Sequence, residues 1–280
     1  MAIDPVRPLR TAYLQQLLGI IRQSRQSILR NVRPLIISPY PLDLDELERM
    51  IERSLTYHLD RRGQAIVEMF IRLGYDRGVD YTVGRVQALA PVSDFKIIAG
   101  VDFTRPDMKA IDELSRLSLA DLKGINADLG RKVLRTIVEG DKKGLGVTRI
   151  AQEITEQFNT IGLPRAETIV RTSINQAYNR AAWERIVKYA PFKIWIDTGD
   201  DRERPGHLKM HHVIIPAEEP FDVPAFKPTP TSKKMVPACK MQYPGDVTYD
   251  PDLAQIINCR CTLGPKFTRT GGKMTGRQKK

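Results

Sequence analysis

The sequence predicts a predominantly helical α+β fold, with an N-terminal helical bundle or arm followed by a compact C-terminal α+β module that has a small sheet and long proline-rich loops. Two observations support this prediction. Apolar residues recur at helical spacing as far as about residue 189. Beyond Pro191 that periodicity ends, and nine of the nineteen prolines fall between residues 205 and 251.

The first two helices are predicted by one-sided apolar stripes. Leucines and isoleucines recur on one face of residues 14–28, with arginines on the other. A second stripe follows Pro41, where Asp43 and Glu46 are spaced as in a capped helix start. Such stripes must be buried against another element, so we expect these helices to form a bundle.

A third helical stretch contains Gly74 and Gly78, and two glycines at this spacing indicate either a break or a close contact. A short apolar run over residues 95–101 follows, which is typical of a connector or a single strand. We place the first domain boundary just after this run, so that residues 1–106 form a helical N-terminal region.

Helices continue in the next part of the chain. Ser118 is the expected N-cap of one helix, and Gly140 is the expected C-cap at its end. The longest helix is expected from about Pro164 to Tyr189, since proline suits a first helical turn.

A helix-turn-helix pattern precedes this long helix. Residues 147–158 are predicted to form a short helix, and Gly162 is predicted to form the turn. In some DNA-binding proteins the second helix of such a pair lies in the major groove. Here the second helix is apolar enough to belong to the core, so two packed helices of an α-rich domain explain the pattern better.

Two short strands are predicted after Pro191. Apolar and polar side chains alternate over residues 192–197. Cys259, Cys261 and Leu263 likewise alternate with polar residues. We expect the two strands to pair in a small sheet that packs on the long helix.

The composition excludes several classes of protein. The 280 residues are 41% hydrophobic and 28% charged, which is enough for one large or two modest domains with a core. No apolar run approaches the roughly 18 residues that a membrane span needs, and the first residues lack the pattern of a secretory signal. Three cysteines cannot form a fully paired disulfide framework, so we expect reduced thiols and folding in a cytoplasm.

The net charge of +11 is located at the two ends of the sequence. Residues 1–40 contain six arginines and one acid, residues 264–280 contain six basic residues and no acid, and the remainder is balanced. A balanced body with two basic arms is typical of a protein that holds a polyanion through flexible tethers, although a tail that only improves solubility is the alternative. The predicted nucleic-acid-binding residues are Lys266, Arg269, Lys273, Arg277, Lys279 and Lys280.

Short motifs follow one another in a specific order over roughly residues 120 to 263. They are Arg171-Thr172 with Ala177 and Asn179, Trp195 with Asp197, Arg202 with Arg204-Pro205 and His207, Tyr243-Pro244-Gly245-Asp246, and Asn258-Cys259-Arg260-Cys261-Thr262. In this order the motifs resemble those of the phage head morphogenesis or minor head proteins similar to the F protein of phage Mu.

The resemblance implies a virion protein present in few copies, associated with the portal and needed for correct head assembly. Some members of the family bind DNA or affect its delivery, so the resemblance also allows these roles for this protein. We accordingly take residues 107–263 as the Mu F-like minor head domain and residues 264–280 as a basic flexible tail. The residues assigned to its structural motif are Arg171, Asn179, Trp195, Asp197, Arg202, Arg204, His207, Asn258, Cys259, Arg260 and Cys261.

The spacing of Arg171, Asn175 and Asn179 places them on one face of the long helix. We expect this polar stripe to brace the polar loop after the tryptophan strand by hydrogen bonds. Arg171 would bind a carboxylate there, such as Asp197 or Asp200, because its planar fork matches a carboxylate. A solvated helix face is the alternative.

The cysteines and one histidine could bind a metal. Cys239, Cys259, Cys261 and His207 would make a closed tetrahedral zinc site, and a loop-rich region would be stabilised by it. The Cys-x-Cys spacing is not the usual spacing of a zinc knuckle, and buried reduced thiols explain it as well. We therefore expect no cofactor, with zinc as the alternative.

An enzyme is the competing class of function. His207 and Asp200, with the nearby His211 and His212, could hold a divalent cation on a scissile phosphate, as in a metal-dependent nuclease. None of these spacings matches a standard signature, and no phosphate-binding glycine loop or nucleophile elbow is present.

We therefore predict a non-enzymatic minor head protein that lies in the capsid interior near the portal. Its expected partners are the portal protein, the major capsid or scaffolding protein and double-stranded DNA. We expect no contact with a membrane. A DNA-binding adaptor without a role in the virion is the second alternative.

Overall fold

The computed structural model describes residues 4–38, 41–90, 106–199, 203–227 and 235–268. Two compact units are present, and each is assembled from segments that are not consecutive. Unit 1 comprises the described residues of Met1–Leu9, Ile71–Leu114 and Arg171–Lys280, and unit 2 comprises those of Arg10–Phe70 and Ser115–Val170. The domain boundaries drawn from the sequence stay a prediction.

The described chain is mainly helical and has short strands in its C-terminal part. The helices are α1 (Arg7–Ile37), α2 (Leu44–Leu55), α3 (Gly63–Leu89), α4 (Met108–Lys142), α5 (Val147–Gln157), α6 (Leu163–Tyr189), α7 (Pro205–Met210) and α8 (Leu253–Ile256). The strands are β1 (Phe192–Ile196), β2 (Ile214–Pro216), β3 (Phe221–Val223), β4 (Cys239–Met241) and β5 (Thr262–Lys266). The predicted α+β class is confirmed.

The apolar stripes of the first helices form the core of unit 2. The leucines and isoleucines of α1 and α2 that face inward are buried. Tyr13 stacks on Phe70, with 4.8 Å between the ring centroids. The side chain of Asp43 accepts a hydrogen bond from the backbone N–H of Glu46 over 3.0 Å. The helical packing and the capped start of α2 are therefore confirmed.

Two predicted helix ends are wrong. Ser118 is buried inside α4, and the side chain of Asp107 caps the start of that helix instead, accepting from the N–H of Lys109 over 2.9 Å. Gly140 is also internal to α4. The chain turns at Gly144, whose φ is +63°, a value that favours glycine. Because neither Ser118 nor Gly140 ends a helix, α4 continues through both and has 35 residues. It is longer than α6, which has 27 residues and was expected to be the longest helix.

No turn exists at Gly162. The segment Phe158–Gly162 is π-helical and carries α5 directly into α6. The helix-turn-helix pattern is therefore wrong, because the glycine is accommodated within helical backbone. Helix α6 runs from Leu163 to Tyr189, close to the predicted bounds.

A close helix contact explains the two glycines of α3, which continues unbroken through both. A Cβ atom at Gly78 would lie 2.3 Å from the backbone oxygen of Tyr178 in α6. A Cβ atom at Gly74 would lie 3.4 Å from the Cβ atom of Ala177. Of the two alternatives for this stretch, the close contact is confirmed.

The predicted pairing of two strands is confirmed, but the second strand begins at Thr262, so Cys259 and Cys261 precede it and are not part of it. A three-stranded antiparallel sheet has the order β2-β1-β5, with Trp195 opposite Leu263 and Lys193 opposite Pro265. Trp195 and Leu263, on the buried side of this sheet, lie in one hydrophobic cluster with Ala182 and Ile186 of α6. Strands β3 and β4 form a separate hairpin pair.

The basic N-terminal segment and Lys266 differ from expectation. The arginines near the N-terminus belong to α1, a regular helix, and Arg22, Arg30 and Arg33 are exposed on it. Lys266 is paired opposite Phe192 at the end of β5 and is not in a tail. The other five predicted nucleic-acid-binding residues, and the run at 95–101, lie outside the described residues. Within the described part of the chain, no helix has the length and apolarity to cross a membrane.

Candidate functional site

His207, Cys259 and Cys261 converge in the interior of unit 1. The imidazole Nδ1 atom lies 3.5 Å from the Cys259 Sγ atom and 3.7 Å from the Cys261 Sγ atom. All three side chains are buried, and both cysteines are free thiols. Residues 52 and 54 positions apart in the sequence thus form one buried cluster.

His207 is placed by a short helix that approaches its neighbours closely. Arg204 precedes α7 in an extended conformation, and Pro205 occupies the first helical turn. A Cβ atom at Gly206 would lie 2.7 Å from the backbone oxygen of Pro224, so only glycine fits there without a shift. The Trp195 ring then packs edge-on against the imidazole, at 5.3 Å between centroids.

The two cysteines are placed by a turn that follows α8. Asp252 caps this helix by accepting from the N–H of Ala254 over 2.8 Å. Asn258 has a φ of +60°, a left-handed conformation that asparagine adopts more readily than most residues. The N–H of Cys259 donates to the Ile256 oxygen over 3.0 Å, which closes the turn and directs the chain inward.

A glutamine fixes the orientation of the imidazole. The Gln255 Nε2 atom donates to the Pro237 oxygen over 2.9 Å, so its Oε1 atom faces His207. That oxygen lies 3.1 Å from His207 Nε2, which must carry a proton in order to donate to it. The lone pair of Nδ1 therefore points toward the two sulfur atoms.

The pKa values of the two thiols are shifted in opposite directions. A hydrogen bond from Cys261 holds the pKa of Cys259 well below its usual range. The same hydrogen bond, together with burial, raises the pKa of Cys261 well above its usual range. Cys259 is therefore the thiol that ionises first. Cys239, by contrast, lies in β4, and burial raises its pKa to about 11.

Two buried asparagines of α6 hold the segment around Cys261. Asn179 donates to the backbone oxygens of Cys261 and Pro244, each over 2.9 Å, and accepts from the N–H of Leu263 over 3.1 Å. Asn175 also donates to the Cys261 oxygen, over 3.0 Å. The polar stripe of α6 is thus buried, and the alternative of a solvated face is wrong for these residues.

Arg171 has a different partner from the one expected. Its Nη1 atom donates to the Asn258 Oδ1 atom over 3.2 Å. The next residue, Thr172, accepts from the N–H of Asn258 over 3.0 Å. The stripe therefore braces the segment before and after the cysteines, because the left-handed turn there leaves polar groups without partners in a helix or sheet.

Asp197 binds a histidine. Its Oδ1 atom lies 3.1 Å from the Nδ1 atom of His211, which itself stacks on His212. Burial raises the pKa of Asp197, and the nearby His211 offsets this only in part. The expected ion pair between Arg171 and Asp197 is wrong, and Asp200 lies outside the described residues.

The remaining motif residues surround a small cavity. The Arg204 guanidinium donates to the Ile257 backbone oxygen, which ties α7 to the turn before the cysteines. A cavity of about 10 Å³ is lined by Thr198, Glu203, Arg204, His207, Asn258, Arg260 and Cys261. Arg202 lies outside the described residues.

Sequence reasoning missed a second buried polar network beside this site. Lys193 is fully buried in β1 and donates to the backbone oxygen and the Oε1 atom of Gln242, over 2.9 and 2.7 Å. Asp246 accepts from the N–H of Gln242 over 2.7 Å. The alternation of residues 192–197 assigned Lys193 to the solvent side, and no local signal in the sequence places it inside.

The nuclease arrangement is not supported by the geometry. His207 is buried, and its two ring nitrogens face Gln255 and the sulfur atoms. A group enclosed in this way cannot hold a cation on the phosphate of a nucleic acid, which needs an accessible ligand.

Comparison with known proteins finds a family model that covers this site and slightly less than half of the chain. Residues 131–264 match the family model described as Phage Mu protein F like protein, which confirms the resemblance seen in the motifs. An uncharacterized protein of Methanocaldococcus jannaschii is 28% identical over 173 residues, covering 57% of this chain and 27% of that protein. The chain thus spans little more than a quarter of the length of that relative. No solved structure matches the chain.

Proposed function

Because residues 131–264 match the family model described as Phage Mu protein F like protein, we propose that this chain is a minor head protein of a tailed phage that acts in head morphogenesis at the portal. Its partners are the portal protein and the major capsid or scaffolding protein. It carries out no catalysis and lies in the capsid interior near the portal.

The use of the polar motif residues supports a structural role. The side chains of Asn175 and Asn179 donate hydrogen bonds to backbone oxygens of the same unit, and the Arg171 side chain donates to Asn258. A catalytic site would keep such groups directed at a cavity able to hold a substrate. The cavity that the motif does line has about 10 Å³, which is near the size of a single water molecule.

The charge of α1 supports a contact with DNA. The helix contains six arginines and no acidic residue. Arg22, Arg30 and Arg33 are exposed and lie within about 80° of one another around an ideal helix axis. A row of exposed arginines without acids can neutralise successive phosphates, whatever the base sequence. The predicted basic residues after Lys266 would add to this contact.

Binding to the portal is the direct test. The full chain is expressed with the portal protein of the same phage, and the two are purified through a tag on the portal protein. We expect the chain to elute with this portal protein and not with one from an unrelated phage. Equal recovery with both, or with neither, would contradict the proposal.

Two further experiments distinguish the proposed function from a nuclease and from an adaptor. Plasmid incubated with the chain and a divalent metal should stay intact under the proposed function, and cleavage that His207→Ala abolishes would establish the enzyme. Virions made without the chain should be defective in head assembly. Normal heads would instead favour an adaptor that acts outside the virion.

A further inference from the structure

The cluster of His207, Cys259 and Cys261 has the composition of a metal site. Their ligand atoms all lie within 4.8 Å of one another. Two thiolates and one imidazole are ligands that zinc prefers. We propose that these three side chains bind a structural zinc ion, which fastens α7 to the turn after α8. The inference concerns the domain itself and does not rest on a role in the phage head.

The spacing of the ligand atoms fits tetrahedral coordination. With Zn–N near 2.1 Å and Zn–S near 2.3 Å, a nitrogen and a sulfur ligand of one tetrahedron lie about 3.6 Å apart. The two nitrogen-to-sulfur distances in the cluster are 3.5 and 3.7 Å. An ion can therefore enter between these atoms with little movement of the backbone.

The orientation of His207 supports the same conclusion. A metal-binding histidine donates its other ring N–H to an oxygen, which fixes the ring and directs the lone pair at the metal. Gln255 provides that oxygen at 3.1 Å from Nε2, and it is itself held by Pro237. If the two thiols were only core packing, neither an imidazole lone pair directed at them nor a glutamine that fixes the ring would be required.

The cavity beside the cluster can supply the fourth ligand. His207 and Cys261 line this cavity together with Glu203, and its volume of about 10 Å³ accommodates one small ligand. A water molecule or the Glu203 carboxylate would complete the tetrahedron. Cys239 is not within the group of ligand atoms, so the four-residue zinc set that the sequence offered as an alternative is reduced to three protein ligands among the described residues.

Metal content measures the proposal directly. The full chain is purified without chelator from cells grown with added zinc and analysed by mass spectrometry for metals. We expect about one zinc ion per chain. Cys259→Ser and Cys261→Ser should lose most of the zinc. Cys239→Ser is the matched control, since it makes the same change in the same unit outside the cluster, and it should retain the zinc.

A second measurement covers variants that fail to fold. Wild-type protein is stripped of metal and supplied with Co²⁺, and its absorption spectrum is recorded. Co²⁺ bound to thiolates in a tetrahedral site gives charge-transfer and visible bands, which Zn²⁺ should then abolish by displacement. Chelator should also lower the thermal midpoint of the wild type, and Zn²⁺ but not Mg²⁺ should restore it.

Three results would overturn the proposal. The wild type could hold no zinc and give no cobalt spectrum. Cys239→Ser could lose zinc as fully as Cys259→Ser. Mass spectrometry of the unreduced protein could also show Cys259 and Cys261 joined in a disulfide. None of these results bears on portal binding, so a failure here is distinct from a failure of the proposed function.

Discussion

The side chain of Asn179 donates a hydrogen bond to the backbone oxygen of Cys261 over 2.9 Å, across 82 positions of sequence. Asn179 is completely buried, and its amide also reaches Pro244 and Leu263. One helix residue therefore satisfies backbone groups of two irregular segments. Because buried backbone groups without partners are costly, this residue should control the stability of the whole site.

Replacing Asn179 by alanine should destabilise the protein by about 2 to 6 kcal/mol, because it leaves two buried backbone groups without partners at ~1–3 kcal/mol each. Those groups are the Pro244 oxygen and the Leu263 N–H, since Asn175 still binds the Cys261 oxygen. Urea unfolding of the wild type and the variant measures the difference.

Asn31→Ala is the control for this prediction. Asn31 is exposed on α1, and its amide makes a long hydrogen bond of 3.4 Å to Ser54. The same change there should alter the unfolding free energy by no more than about 0.5 kcal/mol. Equal losses in the two variants would show that Asn179 has no special role.

Two glycines of α3 should respond in opposite directions to the same change. A Cβ atom at Gly78 would lie 2.3 Å from the Tyr178 oxygen, whereas one at Gly84 meets no atom within 4 Å. Gly78→Ala must push backbone away from backbone and should lower the thermal midpoint. Gly84→Ala should raise stability by about 0.5–1 kcal/mol through the helix propensity of alanine. If Gly78→Ala were also stabilising, the close contact of α3 with α6 would be wrong.

The stability of the protein should depend on the protonation of Lys193. Burial lowers the pKa of Lys193 from 10.5 to about 7, although Asp246 and Glu219 oppose this shift. Between these two values the unfolded chain binds a proton that the folded chain does not, so the unfolding free energy should rise with pH from about pH 7 to about pH 10. Below about pH 7 this group should add no further pH dependence.

Lys193→Met isolates this contribution from the other groups that titrate in the same range. Methionine keeps an unbranched apolar stem but cannot be charged, so the variant should lack the rise that comes from this group. Urea unfolding at several pH values measures the difference between the two proteins. If that difference were the same at pH 7 and pH 10, the lysine would not be neutral in the fold.

The exposed arginines of α1 should set the salt dependence of DNA binding. Changing Arg22, Arg30 and Arg33 together to glutamine should weaken binding to DNA of any sequence. The slope of log K against log salt should fall by about 0.9 for each phosphate that the protein no longer neutralises. Fluorescence anisotropy at a series of salt concentrations gives both quantities.

A charge-matched variant tests whether the position of these arginines matters. Arg72, Arg135 and Arg149 each pair with an acidic residue four positions away, on other helices. Changing these three to glutamine removes the same total charge. Their loss should leave the slope of log K against log salt nearly unchanged. An equal effect in both triple variants would mean that DNA binding depends only on the net charge of the protein.

Local patterns in the sequence predicted those features that depend on local physics. The alternation of residues 192–197 predicted β1, and the Asp43 cap predicted the start of α2, because both depend on neighbours in sequence. The caps at Ser118 and Gly140 failed for a different reason. Both residues are enclosed within one continuous helix, and a serine or glycine that packs inside a helix looks the same in sequence as one that ends it.

The partners of the site residues could not be predicted in the same way. The order of the motifs predicted that His207, Cys259 and Cys261 belong to one site, and these three residues do converge. Arg171 was expected to bind an acid, but its partner is the amide of Asn258, 87 positions away. Charge complementarity favours a carboxylate, whereas the left-handed turn at Asn258 decides which oxygen lies within reach. That turn is a tertiary feature, and so is the burial of Lys193.

The separation of Asn179 from Cys261 also bears on how the protein is made. A ribosome adding ~5–20 residues each second needs about 4 to 16 seconds to synthesise the residues between them. Throughout this interval the nascent chain presents the polar amides of Asn175 and Asn179 on a helix otherwise rich in apolar side chains. A product truncated before Cys261 would lack the backbone oxygen to which both amides donate in the folded protein.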